Sequence, residues 1–135
     1  MEAGAARASP STWSPAVLPE AHIRITLNDR TVTGVLHPSA ATASLLAMLP
    51  LKLSFTDFGG QEKLAALPES LDLGGMPDGS SAEPGTIGYY APHQVLVLYY
   101  ESVGYYRGII PLGTFEDVAS IRDARPFTAT VSSDR

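Results

Sequence analysis

Apolar and polar side chains alternate in several short runs of the chain, which is the pattern of half-buried β-strands. The first run, His22–Leu27, is separated by the turn residues Asn28–Arg30 from a second run, Thr31–Leu36, and together they predict a hairpin. The remaining runs predict further strands at residues 51–55, Thr86–Tyr90, Val95–Tyr100, Arg107–Phe115 and Phe127–Val131.

One main helix is predicted between the second and third strands. Ser39 has the side chain of an N-cap, Leu45 and Met48 follow on one helix face, and Pro50 ends the helix. A short second helical turn is predicted at Glu116–Ile121. About eight strands with one main helix and no strand–helix–strand alternation predict a mainly β protein, an antiparallel barrel or sandwich.

Two segments depart from this simple alternation. Val95–Tyr100 is apolar on both faces, so we expect it to be covered on both sides, either by a helix outside a barrel or by a second copy of the chain. A homodimer is therefore one of two interpretations of this strand. Residues 68–85 contain paired glycines and three prolines and predict a long loop of the kind that is often functional or mobile.

The length of 135 residues fits a single domain. Residues 1–19 are rich in Ala, Ser and Pro and predict a flexible tail, which leaves residues 20–135 as the folded domain. Trp13, the only tryptophan, is either incidental in this tail or docks on the domain or on a partner. The tail lacks the long apolar stretch of a secretory signal, so a cytoplasmic location is expected.

Charge and composition argue against several classes of function. The chain contains no Cys, which excludes disulfides, a thiol nucleophile and Cys-based metal sites. Its formal net charge is −5 and it has no Lys/Arg cluster, so no nucleic-acid partner is expected. No apolar run approaches the ~20 residues of a membrane helix, so no membrane partner is expected either.

Four segments in order resemble the bacterial cyclophilin-like fold family, a set of small stand-alone domains mostly without assigned function. They are Phe58–Lys63, Pro68–Leu71, Gly85–Pro92 and Gly104–Gly113. The resemblance runs from about Ile23 to Val131 and implies a closed eight-stranded antiparallel β-barrel with a helix at the barrel end. The Phe-His-Arg and Gln-Gly-Gly-Asp segments of true cyclophilins are absent, so prolyl isomerase activity is not expected.

The chain departs from the pattern of this family at three positions. His93-Gln94-Val95 stands where Trp-Gly-Asn is usual, and Tyr106-Arg107 stands where a small residue followed by Pro is usual. Thr86 replaces an acidic residue. The first two departures place an imidazole, a phenol and a guanidinium beside barrel strands.

All six tyrosines fall between residues 89 and 106, as three adjacent pairs. Neighbours in a strand face opposite ways, so each pair is expected to place one ring inward and one outward. The rings either fill the barrel wall or form an aromatic pocket for a planar ligand. For the second interpretation the expected substrate-binding residues are Tyr90, Tyr99, Tyr105 and Phe58.

Four residues are candidates for acid–base or charge chemistry. His93 is either a general acid or base or an incidental loop residue, and Glu62 is either a buried general acid or base or a member of an ion pair with Arg107. Tyr106 supplies a phenol, and Arg107 either holds a carboxylate or ends its strand in solvent. No HxH or HExxH spacing is present, so neither a metal site nor a cofactor is expected.

Three functions remain open on this sequence. The first is a module that binds a small molecule or peptide without chemistry. The second is a cofactor-independent cyclase or isomerase of specialised metabolism, for example one that performs a Pictet–Spengler-like ring closure. The third is an interaction protein that docks a partner on a strand edge or on residues 70–85.

Overall fold

Ten β-strands and two helices account for most of residues 20–134, the part of the chain that this computed structural model describes. The predicted tail and Trp13 lie outside the described residues. The strands are β1 (Ala21–Leu27), β2 (Arg30–Leu36), β3 (Leu51–Phe58), β4 (Glu62–Ala66), β5 (Gly79–Ala82), β6 (Thr86–Tyr90), β7 (Val95–Tyr99), β8 (Val103–Arg107), β9 (Ile109–Phe115) and β10 (Phe127–Ser133). The helices are α1 (Ala40–Met48) and α2 (Val118–Arg122).

Eight of these strands close a barrel in the order β1-β10-β3-β4-β7-β6-β9-β2, and each joins its neighbours in antiparallel register. The alternation seen in the sequence follows from this closure, because every barrel strand has one face in the core. In β1, for example, Ile23, Ile25 and Leu27 are buried and the residues between them are exposed. The predicted closed eight-stranded barrel is confirmed.

Helices α1 and α2 cross opposite ends of the barrel. Helix α1 connects β2 to β3, which are three places apart in the barrel, and it inserts Ala41 and Leu45 into the core. The predicted N-cap, Ser39, accepts a hydrogen bond from the backbone N–H of Thr42 at 3.0 Å. Helix α2 follows β9, which is antiparallel to β2, and therefore crosses the other end before β10. Within residues 20–134, neither helix is long and apolar enough to cross a bilayer.

Strands β5 and β8 form a separate two-stranded antiparallel sheet, here called the outer sheet. This corrects the prediction that residues 68–85 are loop throughout, since β5 lies within them. The sequence of β5, Gly-Ser-Ser-Ala, has no apolar alternation, so only its pairing with β8 reveals it as a strand. The predicted strand Arg107–Phe115 is also divided, because Gly108, with φ 101°, separates β8 from β9.

The outer sheet covers the outside of the barrel wall. A second apolar cluster lies between them, separate from the barrel core, and consists of Ala82, Val95, Val97, Tyr99 and Ile109. Strand β7 is therefore buried on both faces, as its sequence predicts. The cover is the outer sheet of the same chain, so neither a helix nor a second copy is needed to explain the apolar pattern of β7.

Candidate functional site

One row of side chains crosses the outer face of three neighbouring barrel strands. Phe58 of β3 pairs with Glu62 of β4, and Glu62 pairs with Tyr99 of β7. Directly paired residues project to the same side of a sheet. The next pair along the same two strands, Lys63 and Leu98, is buried, so the row with Glu62 lies on the outer side. A carboxyl group is thus placed between two aromatic side chains on the barrel wall.

Tyr99 forms the floor of this region. It is 1% exposed, and its ring lies against Gly88 of β6, where an added Cβ would be 2.8 Å from Tyr99 Cε2. Burial, with smaller effects of the charges of Glu62 and Tyr90, raises the pKa of Tyr99 above its usual value. The Tyr99 hydroxyl therefore stays protonated at neutral pH.

Tyr90, at the end of β6, stands between two other rings. The ring of His93 meets it edge-on, with centroids 5.1 Å apart and an interplanar angle of 84°. The ring of Tyr106, from β8, lies 6.0 Å away at 46°. The 3-10 turn of Ala91–His93, with Pro92 in its first turn, brings His93 back over Tyr90. Three rings from two barrel-wall segments and the outer sheet thus converge.

A β-bulge in β8 directs Tyr106 toward the barrel. Tyr106 pairs with Ser80, whereas Val103 pairs with Ala82, so three steps along β8 match two along β5. This extra residue interrupts the alternation and puts Val103 and Tyr106 on the same side of β8. Val103 packs on the second apolar cluster, which shows that this side faces the barrel. Tyr106 remains 59% exposed, so its ring is accessible from solvent.

Glu62 supplies the charge of this region. It is half-buried, and this burial, with the negative charge of Asp57 as a smaller effect, raises the pKa of its carboxyl. Burial is the largest cause that raises the pKa of Tyr90. The interaction with Tyr106 and the negative charge of Glu62 are smaller causes in the same direction. The five side chains are referred to below as the outer-wall cluster: Glu62, Tyr90, His93, Tyr99 and Tyr106.

The model of the Cyclophilin-like family matches residues 25–132, which is most of the chain. The chain belongs to the cyclophilin-like family. Among solved structures it is similar to the hypothetical protein AF2241 from Archaeoglobus fulgidus, with a TM-score of 0.63 and 14% sequence identity, over 85% of this chain and 95% of that chain. This likeness shows the fold alone. No curated protein matches the chain.

Three of the predicted site residues of this cyclophilin-like protein lie away from the outer-wall cluster or at its margin. Phe58 is exposed in the row beside Glu62, and Tyr105 places its hydroxyl next to Gly79. Arg107 is exposed at the end of β8. Within residues 20–134 it forms no ion pair with Glu62, so the structural pair considered from the sequence is not formed there.

A second polar cluster, the inner polar cluster, lies at the end of the barrel near α2, where Lys63 is buried and Asp57 reaches solvent. Lys63 is 4% exposed, and its Nζ donates to the carbonyl of Ala124 at 2.7 Å and lies 3.2 Å from Asp57 Oδ1. The hydroxyl of Tyr100 donates to the same Asp57 oxygen, and the N–H of Gly60 donates to Oδ2 at 3.0 Å. Lys63 therefore links β4 to the segment between α2 and β10.

The charges of the inner polar cluster balance one another. The hydrogen bond from Tyr100 is the largest cause that lowers the pKa of Asp57, and burial raises the pKa of Tyr100 to about 12. Of the two neighbours Glu62 and Lys63, it is Lys63 that is buried in a polar network. Asp57 accepts the N–H of Gly60 in the turn after β3 and also holds Lys63.

Two grooves lie elsewhere on the described surface. One, of about 560 Å³, runs between the second half of α1 and residues 68–72. The other, of about 380 Å³, lies between the β1–β2 turn and α2. Neither groove is lined by a residue of the outer-wall cluster. No group of three or more side chains suited to bind a metal ion occurs among residues 20–134.

Proposed function

We propose that this protein binds a small organic molecule against the outer-wall cluster. The observation that supports this proposal is the packing of His93 and Tyr106 against Tyr90 on the outer face of the barrel. Aromatic rings whose positions are set by strands offer apolar contact area at a small entropic cost. The charge of Glu62, which is one of the causes that raise the pKa of Tyr90, adds a chemical preference to the contact.

The departures from the family pattern support this location. His93 and Tyr106 replace residues of different character, and both belong to the outer-wall cluster. Neither is needed to fill the barrel core, because Tyr106 is exposed and His93 lies on a surface turn. Exposed aromatic side chains that pack on one another are typical of recognition sites. An aromatic side chain in the core, by contrast, needs no function beyond filling the interior.

Proton transfer by Glu62 is a second candidate function, favoured by its raised pKa. A carboxyl group whose pKa is moved toward neutrality is a better general base or acid than one in water. In a Pictet–Spengler-like closure, an iminium carbon bonds to an aromatic ring carbon, which then loses its proton to a base. In this proposal Glu62 accepts that proton.

The test is a screen of small aromatic molecules against the full chain by two-dimensional NMR. Binding at the outer-wall cluster shifts the backbone amide signals of Tyr90, His93 and Tyr106 in a saturable way. The variant Tyr106→Leu is expected to weaken such binding by about tenfold, since a stacking ring contributes ~1 kcal/mol or more. Tyr105→Leu removes a neighbouring exposed ring that points toward Gly79, and it separates a local effect from general loss of aromatic surface.

Two outcomes would contradict the proposed function. One is a set of ligands that shift the signals of Ser44, Met48 and Leu71 instead, which would assign binding to the groove beside α1. The other is binding that Tyr105→Leu weakens as much as Tyr106→Leu does. Turnover that Glu62→Gln removes while binding persists would support the second candidate function.

A further inference from the structure

The groove beside α1 has two walls that are fixed to each other by hydrogen bonds. The backbone N–H of Leu71 donates to the hydroxyl of Tyr89 in the core at 3.3 Å, and the N–H of Asp72 donates to Ser44 Oγ on α1 at 2.9 Å. The side chain of Leu71 is itself buried. The groove is therefore formed before anything binds in it, as binding sites usually are.

The lining of this groove combines apolar surface with carboxylate oxygens. Ala47 and Met48 of α1 face the segment that contains Pro68, and Glu69 and Asp72 add exposed carboxylates on the same segment. Its volume of about 560 Å³ lies within the range of sites that hold one bulky group. An apolar group that also carries a hydrogen-bond donor matches this lining, whereas an anion would be repelled by the carboxylates.

The chain enters the described domain at the same end of the barrel as α1. Ala21 pairs with Leu36, and Glu20 Oε2 lies 3.5 Å from His37 Nδ1, at the start of the connection to α1. The nine residues of α1 are about 14 Å long. Residues 1–19 span up to about 60 Å when extended, so they are long enough to reach the whole groove.

Trp13 is the side chain of this segment whose chemistry matches the groove. It stands seven residues before Glu20, which corresponds to a reach of about 23 Å in an extended chain. Its indole combines a large apolar surface with one N–H donor. Pro10, Pro15 and Pro19 favour an extended backbone and offer no N–H for pairing with a strand. Such a segment fits a groove between a helix and a loop better than a sheet edge.

We propose that the groove beside α1 is the docking site of residues 10–19 of the same chain. Trp13 lies between Met48 and Pro68, and its indole N–H donates to a carboxylate of the groove. Because both parts belong to one chain, their effective concentration is of the order of 1 mM, so a contact with a Kd of about 1 mM is half formed. The inference is independent of the ligand of the outer-wall cluster, whose residues do not line this groove.

Fluorescence of Trp13 tests this contact directly, because Trp13 is the only tryptophan of the chain. Quenching by acrylamide is measured for the full chain and for a synthetic peptide of residues 8–19, which has no groove to enter. We expect the quenching constant of the full chain to be at least about twofold lower, since a half-populated docked state shields half of the rings. The value should not change on dilution, because the contact lies within one molecule.

Two matched variants assign the shielding to the groove. Ala47→Glu fills the groove from an exposed position of α1, so the quenching constant should rise toward that of the peptide. Ala119→Glu makes the same change at an exposed position of α2, which lines the second groove at the opposite end of the barrel. It is expected to leave the quenching constant unchanged, and it controls for the slower diffusion of the full chain relative to the peptide.

A second measurement leaves the groove itself unaltered. Trp13→Ala in the full chain is expected to shift the backbone amide signals of Ala47, Met48 and Leu71 in two-dimensional NMR spectra and to leave the signal of Ser120 in place. This comparison decides the question even if Ala47→Glu fails to fold.

Four results would overturn the proposal. The first is equal quenching of the chain and the peptide, and the second is an equal effect of Ala47→Glu and Ala119→Glu. The third is a set of amide shifts in Trp13→Ala that is centred on the outer-wall cluster. The fourth is a quenching constant that rises on dilution while light scattering shows the loss of a dimer, which would assign the docked segment to the groove of a second copy.

Discussion

Glu62 and Lys63 are neighbours in β4 whose charged groups lie on opposite sides of the barrel wall. Lys63 points inward and is held by Asp57 and the carbonyl of Ala124, whereas Glu62 points outward among tyrosine rings. Adjacent opposite charges in a sequence often suggest a local ion pair, but a strand separates them by the thickness of the wall. The inner charges are compensated, whereas Glu62 takes part in no ion pair within residues 20–134.

Replacing Glu62 by Gln is expected to stabilise the protein at pH 7. Folding raises the pKa of Glu62, so its contribution to stability is full below the unfolded pKa and is lost as the pH rises through the folded pKa. At pH 7 the ionised, half-buried carboxylate is therefore unfavourable, and Gln removes this cost. We expect a rise in Tm of at most a few degrees, because solvent screens much of the cost of a half-buried charge.

The pH dependence of this effect is its control. At pH 3.5, below the unfolded pKa, both the wild-type carboxyl and the Gln amide are neutral, so the difference in Tm should nearly vanish. Thermal unfolding followed by circular dichroism at both pH values measures this difference in Tm. The variant Glu116→Gln, which changes an exposed carboxyl group, is the control. A loss of Tm in Glu62→Gln at both pH values would show that Glu62 stabilises the fold.

Replacing Lys63 by Met should destabilise the protein by about 2 kcal/mol, because it leaves Asp57 and the carbonyl of Ala124 without their buried donor. Asp57 keeps partial solvent contact and the hydrogen bond from Tyr100, so the cost is below that of a fully buried pair. Lys52→Met removes an exposed lysine of β3 and is the matched control. Urea unfolding gives both values, and equal effects of the two variants would contradict a structural role for Lys63.

Most of the barrel could be predicted from the sequence, whereas the outer sheet could not. Barrel strands such as β1 show alternation because one face meets the core and the other meets water. Strand β5 has no such signature, and its existence depends on hydrogen bonds to β8. The unusual apolarity of both faces of β7 did indicate a cover, but it could not indicate which part of the chain provides it.

The candidate site was predictable in its parts and not in its arrangement. The rule that neighbours in a strand face opposite ways holds for Tyr89, in the barrel core, and Tyr90, on the outer side. It fails to predict the direction of Tyr106, because the bulge in β8 shifts the alternation by one residue. It also leaves open which of Glu62 and Lys63 is inside, since that depends on the register of β4 with β7.

The tyrosines should titrate in distinct groups. Tyr100, whose pKa is raised to about 12 by burial and by its hydrogen bond to Asp57, is expected to ionise late in the alkaline titration. Because its pKa is raised, the stability it contributes is full below pH 10 and is lost as the pH rises through about 12. Absorbance at 295 nm measures the ionisation while circular dichroism monitors folding. Tyr100→Phe should remove the component near pH 12, and ionisation of all tyrosines together near pH 10 in the folded protein would contradict the structure.

The contact between Gly88 and Tyr99 provides a test of the floor of the outer-wall cluster. An added Cβ at Gly88 would lie 2.8 Å from Tyr99 Cε2, and this ring is buried under the outer sheet and has little room to move. Gly88→Ala is therefore expected to cost about 1–3 kcal/mol, as overpacking of a filled interior does. Gly104→Ala is the matched control, because its Cβ meets no atom within 4 Å. Urea unfolding should show a clear loss for the first variant and a change within ~0.5 kcal/mol for the second. If both variants retained wild-type stability, the ring of Tyr99 could not be packed against Gly88 of β6. The described packing beneath the outer-wall cluster would then be wrong.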